Sequence, residues 1–297
     1  MQGQHPALLC CIARKFLHRF FLTLLAVTFS LNSYSDDTIY NTYIGGPLYE
    51  ASVDSTLDSD GNVYITGQTY SSEFQGLTTN FSTSAQDQNC FVTRINSASP
   101  NVAQVHIFGG SKGEVCRRIV VDAAKNIYVI GETRSPDLPV SNGTALAGDW
   151  DGFIFKFDNN FNILFGSYIG GSATDFAHGL ALKTNGDILI AGETWSNDFP
   201  TTANAYINDC LVLDKCNASI ASGFLLIFSG TKNQYNTVYA TYLGGSHDDK
   251  AHAVASYGNK IVVIGETQSA DFPLIAQLSD ALKGNLDAFV SVFEYPS

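Results

Sequence analysis

One stretch, used four times, constrains this chain more than any other feature. From Gly170 to Pro200 it reads GGSATDFAHGLALKTNGDILIAGETWSNDFP, and related copies open on the Gly-Gly pairs at Gly45, Gly109 and Gly244. The pairs stand 64, 61 and 74 residues apart, with the same punctuation each time. A period in that range marks an array of one supersecondary unit, in which each copy leans on its neighbours to bury its apolar face. Residues 36–297 therefore read as a single domain, although 297 residues are enough for two.

Within a copy the runs are short, rich in β-branched and aromatic residues, and separated by turn formers. In the third copy His178–Lys183 (HGLALK) leads into Asn185-Gly186, the strongest short hairpin signal. Asp187–Ala191 (DILIA) is apolar enough for a strand buried on both faces. Gly192-Glu193-Thr194 ends it, and a polar turn with Asp198-Phe199-Pro200 follows. Gly223–Phe228 (GFLLIF) and Asn236–Leu243 (NTVYATYL) complete the unit. Four antiparallel strands per copy, with no helix between copies, predict an all-β fold: a four-bladed β-propeller of four-stranded blades. A β-solenoid is the alternative, but its coils are shorter and need no hairpin turns.

The Gly-Gly pair, the Asn-Gly turn, the Gly-Glu-Thr step and the Asp-Phe-Pro turn together resemble the bacterial SBBP β-propeller repeat. The resemblance covers residues 40–297 almost throughout. The first copy departs from it with Glu73-Phe74-Gln75, and the last with AVASYGNK from Ala253. Proteins similar in this way are mostly exported bacterial surface or extracellular proteins without an assigned biochemical role.

The two ends of the chain suggest how the ring closes. Ile39–Ile44 (IYNTYI) looks like a fourth strand with no blade of its own, and Phe289–Phe293 is a third strand with no fourth after it. Pairing of the first with the last closes the circle and removes two bare sheet edges. A monomer is expected. The competing arrangement is an incomplete ring that closes by dimerising.

Residues 1–35 read as a signal peptide. Arg14, Lys15 and Arg19 precede the apolar run Phe20–Leu31, and Ser33 and Ser35 suit a cut before Asp36. The chain is therefore expected in the periplasm, at the cell surface or in the medium, with no transmembrane span in the mature part. Export permits disulfides. Cys210–Cys216 is expected as a short clip, which leaves Cys90–Cys116, although four cysteines allow three pairings. The mature part carries 13 basic and 28 acidic residues, a field that repels phosphate backbones and argues against nucleic acid.

Two sets of acids recur. Glu50, Glu114, Asp175 and Asp249 each stand five residues after the first glycine of a pair. If they ring one mouth of the channel they suit Ca²⁺ or Mg²⁺, which take oxygen ligands. The competing reading makes each the hydrogen-bond acceptor of its own turn. Glu132, Glu193 and Glu266, with Gln68 in the first copy, follow the second strand and are expected on the opposite face or at its rim. As a glycosidase pair, Glu193 and Glu266 need one raised carboxyl and a defined separation, and repetition argues instead for structure. His178 and His252 are equivalent to Val53 and Arg117. No cofactor is expected, and no nucleophile triad, phosphate loop or zinc spacing is present. Loops that break the symmetry, Thr201–Ser222 and Gln75–Asn89, are better candidates, with Trp195 beside the first as an aromatic for stacking on a sugar. The expected role is a non-catalytic scaffold binding a protein or glycan partner at one loop face, with Trp195, Glu193 and Glu266 as contacts. The alternative is a polysaccharide-acting hydrolase or lyase with an acidic channel mouth.

Overall fold

The computed structural model describes residues 41–74, 77–82, 87–141, 144–209, 219–231, 233–275 and 282–295. Each repeat forms one antiparallel sheet in sequence order. The first holds β1 (Glu50–Leu57), β2 (Val63–Thr69), β4 (Asn89–Ile95) and β5 (Ala103–Phe108), and β3 (Thr78–Ser82) adds to it parallel to β5. The second holds β6 (Glu114–Val121), β7 (Ile127–Thr133), β8 (Asp151–Phe157) and β9 (Ile163–Ile169). The third holds β10 (Asp175–Leu182), β11 (Ile188–Thr194), β12 (Ser222–Thr231) and β13 (Gln234–Leu243). The fourth holds three strands, β14 (Asp249–Tyr257), β15 (Lys260–Thr267) and β16 (Asp287–Glu294).

The hairpins between first and second strands follow from local chemistry. Asp58 and Asp122 each accept from the backbone and side-chain amides of an asparagine four residues on, Asn62 and Asn126. The left-handed position falls on Gly61 and Gly186 in two hairpins and on Lys125 in a third.

Burial shows how the sheets stack. Every residue of β7, β8 and β11 is buried, as happens when both faces of a sheet are covered. In β1 and β16, at the two ends of the series, the residues are almost all partly buried or exposed. The core lies in slabs between successive sheets. Val92 and Phe108 of the first sheet pack with Ile119 and Phe153 of the second. Ile154 and Ile169 pack with Ala177 and Phe224, and Leu225 and Leu243 pack with Ala251 and Phe289. First strands follow one another, β1 beside β6, β6 beside β10 and β10 beside β14. No comparable packing joins β14 to β1 among the described residues.

The closure expected from the sequence is not seen. Asn41–Ile44 carries no strand, Tyr43 is fully exposed, and β16 pairs only with β15 among the described residues. Ile39 and Tyr40 lie outside the described residues. The physical reason is that the first and last sheets are not neighbours here, so Thr42–Ile44 does not reach the edge of β16.

A β-bulge breaks the register of every first strand, at Val53, Arg117, His178 and His252. It presses a carbonyl against the glycine of the Gly-Glu-Thr step. A Cβ on Gly192 would lie 2.0 Å from Phe176 O and 2.7 Å from the Phe224 ring. Gly131 and Gly265 meet Val115 O and Lys250 O in the same way. The glycine is therefore demanded by a close approach, not by a turn.

Cys90 and Cys116 form a disulfide that ties the first sheet to the second. Cys210 and Cys216 lie outside the described residues. Part of the Gln75–Asn89 loop is the strand β3, an edge cover that its polar composition did not announce. Thr201–Asn208 likewise lies along β13, with Thr202 N donating to Ala240 O and Tyr242 N to Ile207 O.

Two outcomes are expected. Gly192→Ala should destabilise the fold by about 1–3 kcal/mol in denaturant unfolding, because neither the carbonyl nor the ring can retreat. Replacing both Cys90 and Cys116 by serine should cost about 3–4 kcal/mol, the loop-closure value for a 26-residue separation.

Candidate functional site

The first acidic set is absorbed by its own turns. Asp175 accepts from Gly171 N at 2.8 Å and Ser196 Oγ at 2.7 Å. Asp249 repeats this with Gly245 N and Ser269 Oγ, both at 2.7 Å. Glu114 accepts from Gly110 N, Thr133 Oγ1 and Ser135 Oγ, and Glu50 from Thr69 Oγ1 and Ser71 Oγ. Glu114, Asp175 and Asp249 are fully buried. Each is the hub that holds a Gly-Gly pair to the Thr-x-Ser step of its own sheet. They do not converge, and no cluster of three metal-ligating side chains occurs among the described residues. Asp137, Asp198 and Asp271 are turn formers in the same sense, accepting from Ser111, Ser172 and Ser246.

Burial dominates the titration of these hubs. It pushes the Glu114 carboxyl up to about 7 and that of Asp175 to about 6, against the pull of the hydroxyl and N–H donors. Asp151, next to Asp175, is pushed up to about 7 by burial and by the neighbouring carboxylate.

The second set forms a continuous row with the bulged residues. The bulge turns Arg117, His178 and His252 out of the ladder toward the acids on the adjacent strand. Arg117 makes a two-point pair with the buried Glu132. His178 Nε2 lies 3.1 Å from Glu193 Oε1, and Lys250 Nζ of the next sheet lies 3.2 Å from Glu193 Oε2. His252 Nε2 lies 3.4 Å from the partly exposed Glu266, and the two histidine rings are 6.1 Å apart. In the first sheet Val53 and Gln68 take these places and the row ends. Burial raises the Glu132 carboxyl despite Arg117. Glu193 moves the other way: His178 and Lys250 outweigh its burial and hold it below the usual carboxylate range.

Beside the row is an aromatic patch. Phe176 contacts Trp195 at 5.7 Å between ring centroids and Trp150 at 6.5 Å, and it reaches His178 at 6.2 Å. All three patch residues are partly exposed. The Arg134 guanidinium stands 5.5 Å over Trp150 and pairs with Asp149 at 3.0 Å. Backbone bonds position the patch: Asp175 N donates to Trp150 O of the preceding sheet, and Trp195 N to Thr174 O within its own. Sequence reasoning found Trp195 but missed Trp150, Phe176 and Arg134. The available signal was that both tryptophans adjoin strand ends on one side of the sheets. A separate cavity of about 350 Å³, lined by Tyr206, Tyr239, Phe293 and Tyr295 among others, opens between the third and fourth sheets.

The family model of the SBBP beta-propeller repeat matches residues 164–200, so the chain carries an SBBP-type repeat. Among characterised proteins it is similar to the regulatory protein FlaEY of Caulobacter vibrioides, at 25% identity over 181 residues. That region is 60% of this chain and 18% of FlaEY, so the chain spans under a fifth of that protein. Among solved structures it is similar to a GH43_12 protein retrieved from capybara gut metagenome. There the identity is 10% and the TM-score 0.32, over 72% of this chain and 37% of the other.

The raised hubs carry a pH dependence of stability. Each keeps its proton to higher pH when folded than when unfolded. Their contribution is therefore fully present below about pH 4 and is lost as the pH rises through about 6 to 7. The thermal midpoint should fall between about pH 5 and pH 8. Asp175→Asn should flatten that fall, as read by calorimetry across the range.

Proposed function

We propose that this SBBP-type β-propeller is an exported, non-catalytic scaffold that binds a glycan or protein partner at one loop face. The observation that carries the reading is the aromatic patch of Trp150, Phe176 and Trp195, with Arg134 over one ring and the charged row beside it. Trp and Arg are the side chains that concentrate binding energy at interfaces. An indole face next to hydrogen-bonding charges suits the apolar face and hydroxyl rim of a sugar ring. Glu193 and Glu266 stand in the adjoining row as polar contacts. The Cys90–Cys116 disulfide supports an oxidising compartment, hence export beyond the cytoplasm. A bound Ca²⁺ and a nucleic-acid partner have no part in this reading. In the complete propeller, the Ile39–Ile44 strand supplies the member that the last blade lacks.

One observation favours a second reading, a polysaccharide-acting hydrolase or lyase. Glu132 is raised and Glu193 lowered, and opposite shifts of two carboxyls are what an acid and its partner require. Release of reducing ends or unsaturated products from mixed acidic polysaccharides, lost in Glu132→Gln, would establish it.

The chain contains two tryptophans, and both lie in the patch, so intrinsic tryptophan emission reports on it alone. Titration with soluble neutral and acidic polysaccharides should shift the emission without turnover. Trp195→Ala should weaken binding at least tenfold, about 1.4 kcal/mol or more. Binding of unchanged strength in that variant would place the partner elsewhere.

A further inference from the structure

The head of the chain is built as the end of a blade that this chain does not place beside it. In each complete sheet the residue before the next Gly-Gly pair packs into the following sheet: Phe108, Ile169 and Leu243 join the clusters of the second, third and fourth. Ile44, before Gly45-Gly46, packs in the same manner on Phe74, Phe91, Val105 and Ile107 of the first sheet. It thus stands where the outer strand of a preceding blade ends.

Tyr43 tells what kind of blade that is. Its equivalents Tyr168 and Tyr242 clamp the polar turn of their own sheets. Tyr168 Oη donates to Ser135 O at 2.6 Å and accepts from Leu138 N at 2.9 Å. Tyr242 Oη does the same with Ser196 O at 2.8 Å and Phe199 N at 3.0 Å. Both turns read Ser-x-Asp-Leu/Phe-Pro. In the first sheet Ile107 replaces the tyrosine, and there the turn is Ser71-Ser72-Glu73-Phe74-Gln75. The fourth sheet has the clamped form, Ser269-Ala270-Asp271-Phe272-Pro273, without a fourth strand among the described residues. Tyr43 and this turn are the two halves of one missing clamp.

The fourth sheet also lacks its cover. Ile264, Val290 and Val292 are 45%, 67% and 58% exposed, whereas their equivalents Ala191, Leu225 and Ile227 are 0% exposed beneath the next sheet. This bare face continues the interface already used three times within the chain. It and the head of the chain lie at opposite ends of the series, because β14 and β1 are not packed together.

We infer that a second copy of this chain covers each end: the Asn41–Ile44 segment of one copy pairs with β16 of the other, and Tyr43 clamps its Ser269–Phe272 turn. Two copies joined head to tail close on a twofold axis, and four sheets from each make eight blades, within the range of known propellers. No bare edge is left to template further association. The register follows from the complete sheets, where Ile154 faces Ser167 and Leu225 faces Thr241. It sets Val290 opposite Thr42 of the partner, both exposed in the single chain.

The test uses those two surface positions. Proteins carrying Thr42→Cys or Val290→Cys alone are mixed under oxidising conditions, and the cross-link is mapped by peptide mass. A disulfide between the two introduced thiols, one from each chain, is expected, together with light scattering of the unsubstituted protein at twice the mass of one chain. A bond that forms only within a doubly substituted chain would overturn the second copy in favour of a single-chain ring. Absence of any such bond, or a one-chain mass at micromolar concentration, would overturn the inference as well. Val290→Lys, which leaves the buried slabs untouched, should reduce the scattering mass to that of one chain.

Discussion

Sheets buried on both faces hold this protein together. A four-stranded sheet with two apolar faces is not stable in water by itself. The second and third sheets solve this by lying between neighbours, and all seven residues of β8 are buried as a result. Other features serve that stacking. The disulfide joins the first sheet to the second, and backbone bonds from Asp175 to Trp150 and from Asp249 to Ala221 join successive sheets at one end. In the last three repeats a buried acid braces the Gly-Gly turn from which its own sheet begins. The low burial of β1 and β16 marks where stacking stops.

The functional row is a by-product of the same geometry. A bulge is needed where the first strand twists past the glycine of the second, and the extra residue is turned away from the ladder. In a repeat protein that single event recurs in each unit and lines up four side chains. The chain has filled those places unequally, with Val53, Arg117, His178 and His252. The charged part of the row is thereby confined to the last three repeats, next to the aromatic patch. Local chemistry has diverged on a backbone that has not.

Much of the fold was legible in the sequence because its signals are local. Asn-Gly and Asp-x-x-x-Asn turns, short apolar runs and the repeat period specify strands and their order without reference to the rest of the molecule. The four-strand plan held for three sheets, and the Cys90–Cys116 pairing expected by elimination is present. The strand β3 was not legible, because it adds to an edge already formed and carries no apolar pattern of its own. The candidate site was half legible. Trp195 and the two acidic sets could be named, but the sequence does not say which way each side chain leaves its strand, and neighbouring residues serve different roles. In Asp175 and Phe176, then Glu193 and Thr194, only the direction of each side chain separates a structural role from a binding one.

The sequence by itself determined the unit, its strand order, its turns and the glycines they demand, because these depend on residues close together in the chain. The tertiary structure decided the partners of each carboxylate, the gathering of both tryptophans at one rim, and the separation of the first sheet from the last. Those outcomes depend on how each sheet lies against the next, a relation that side chains from different repeats create together and that no single repeat encodes.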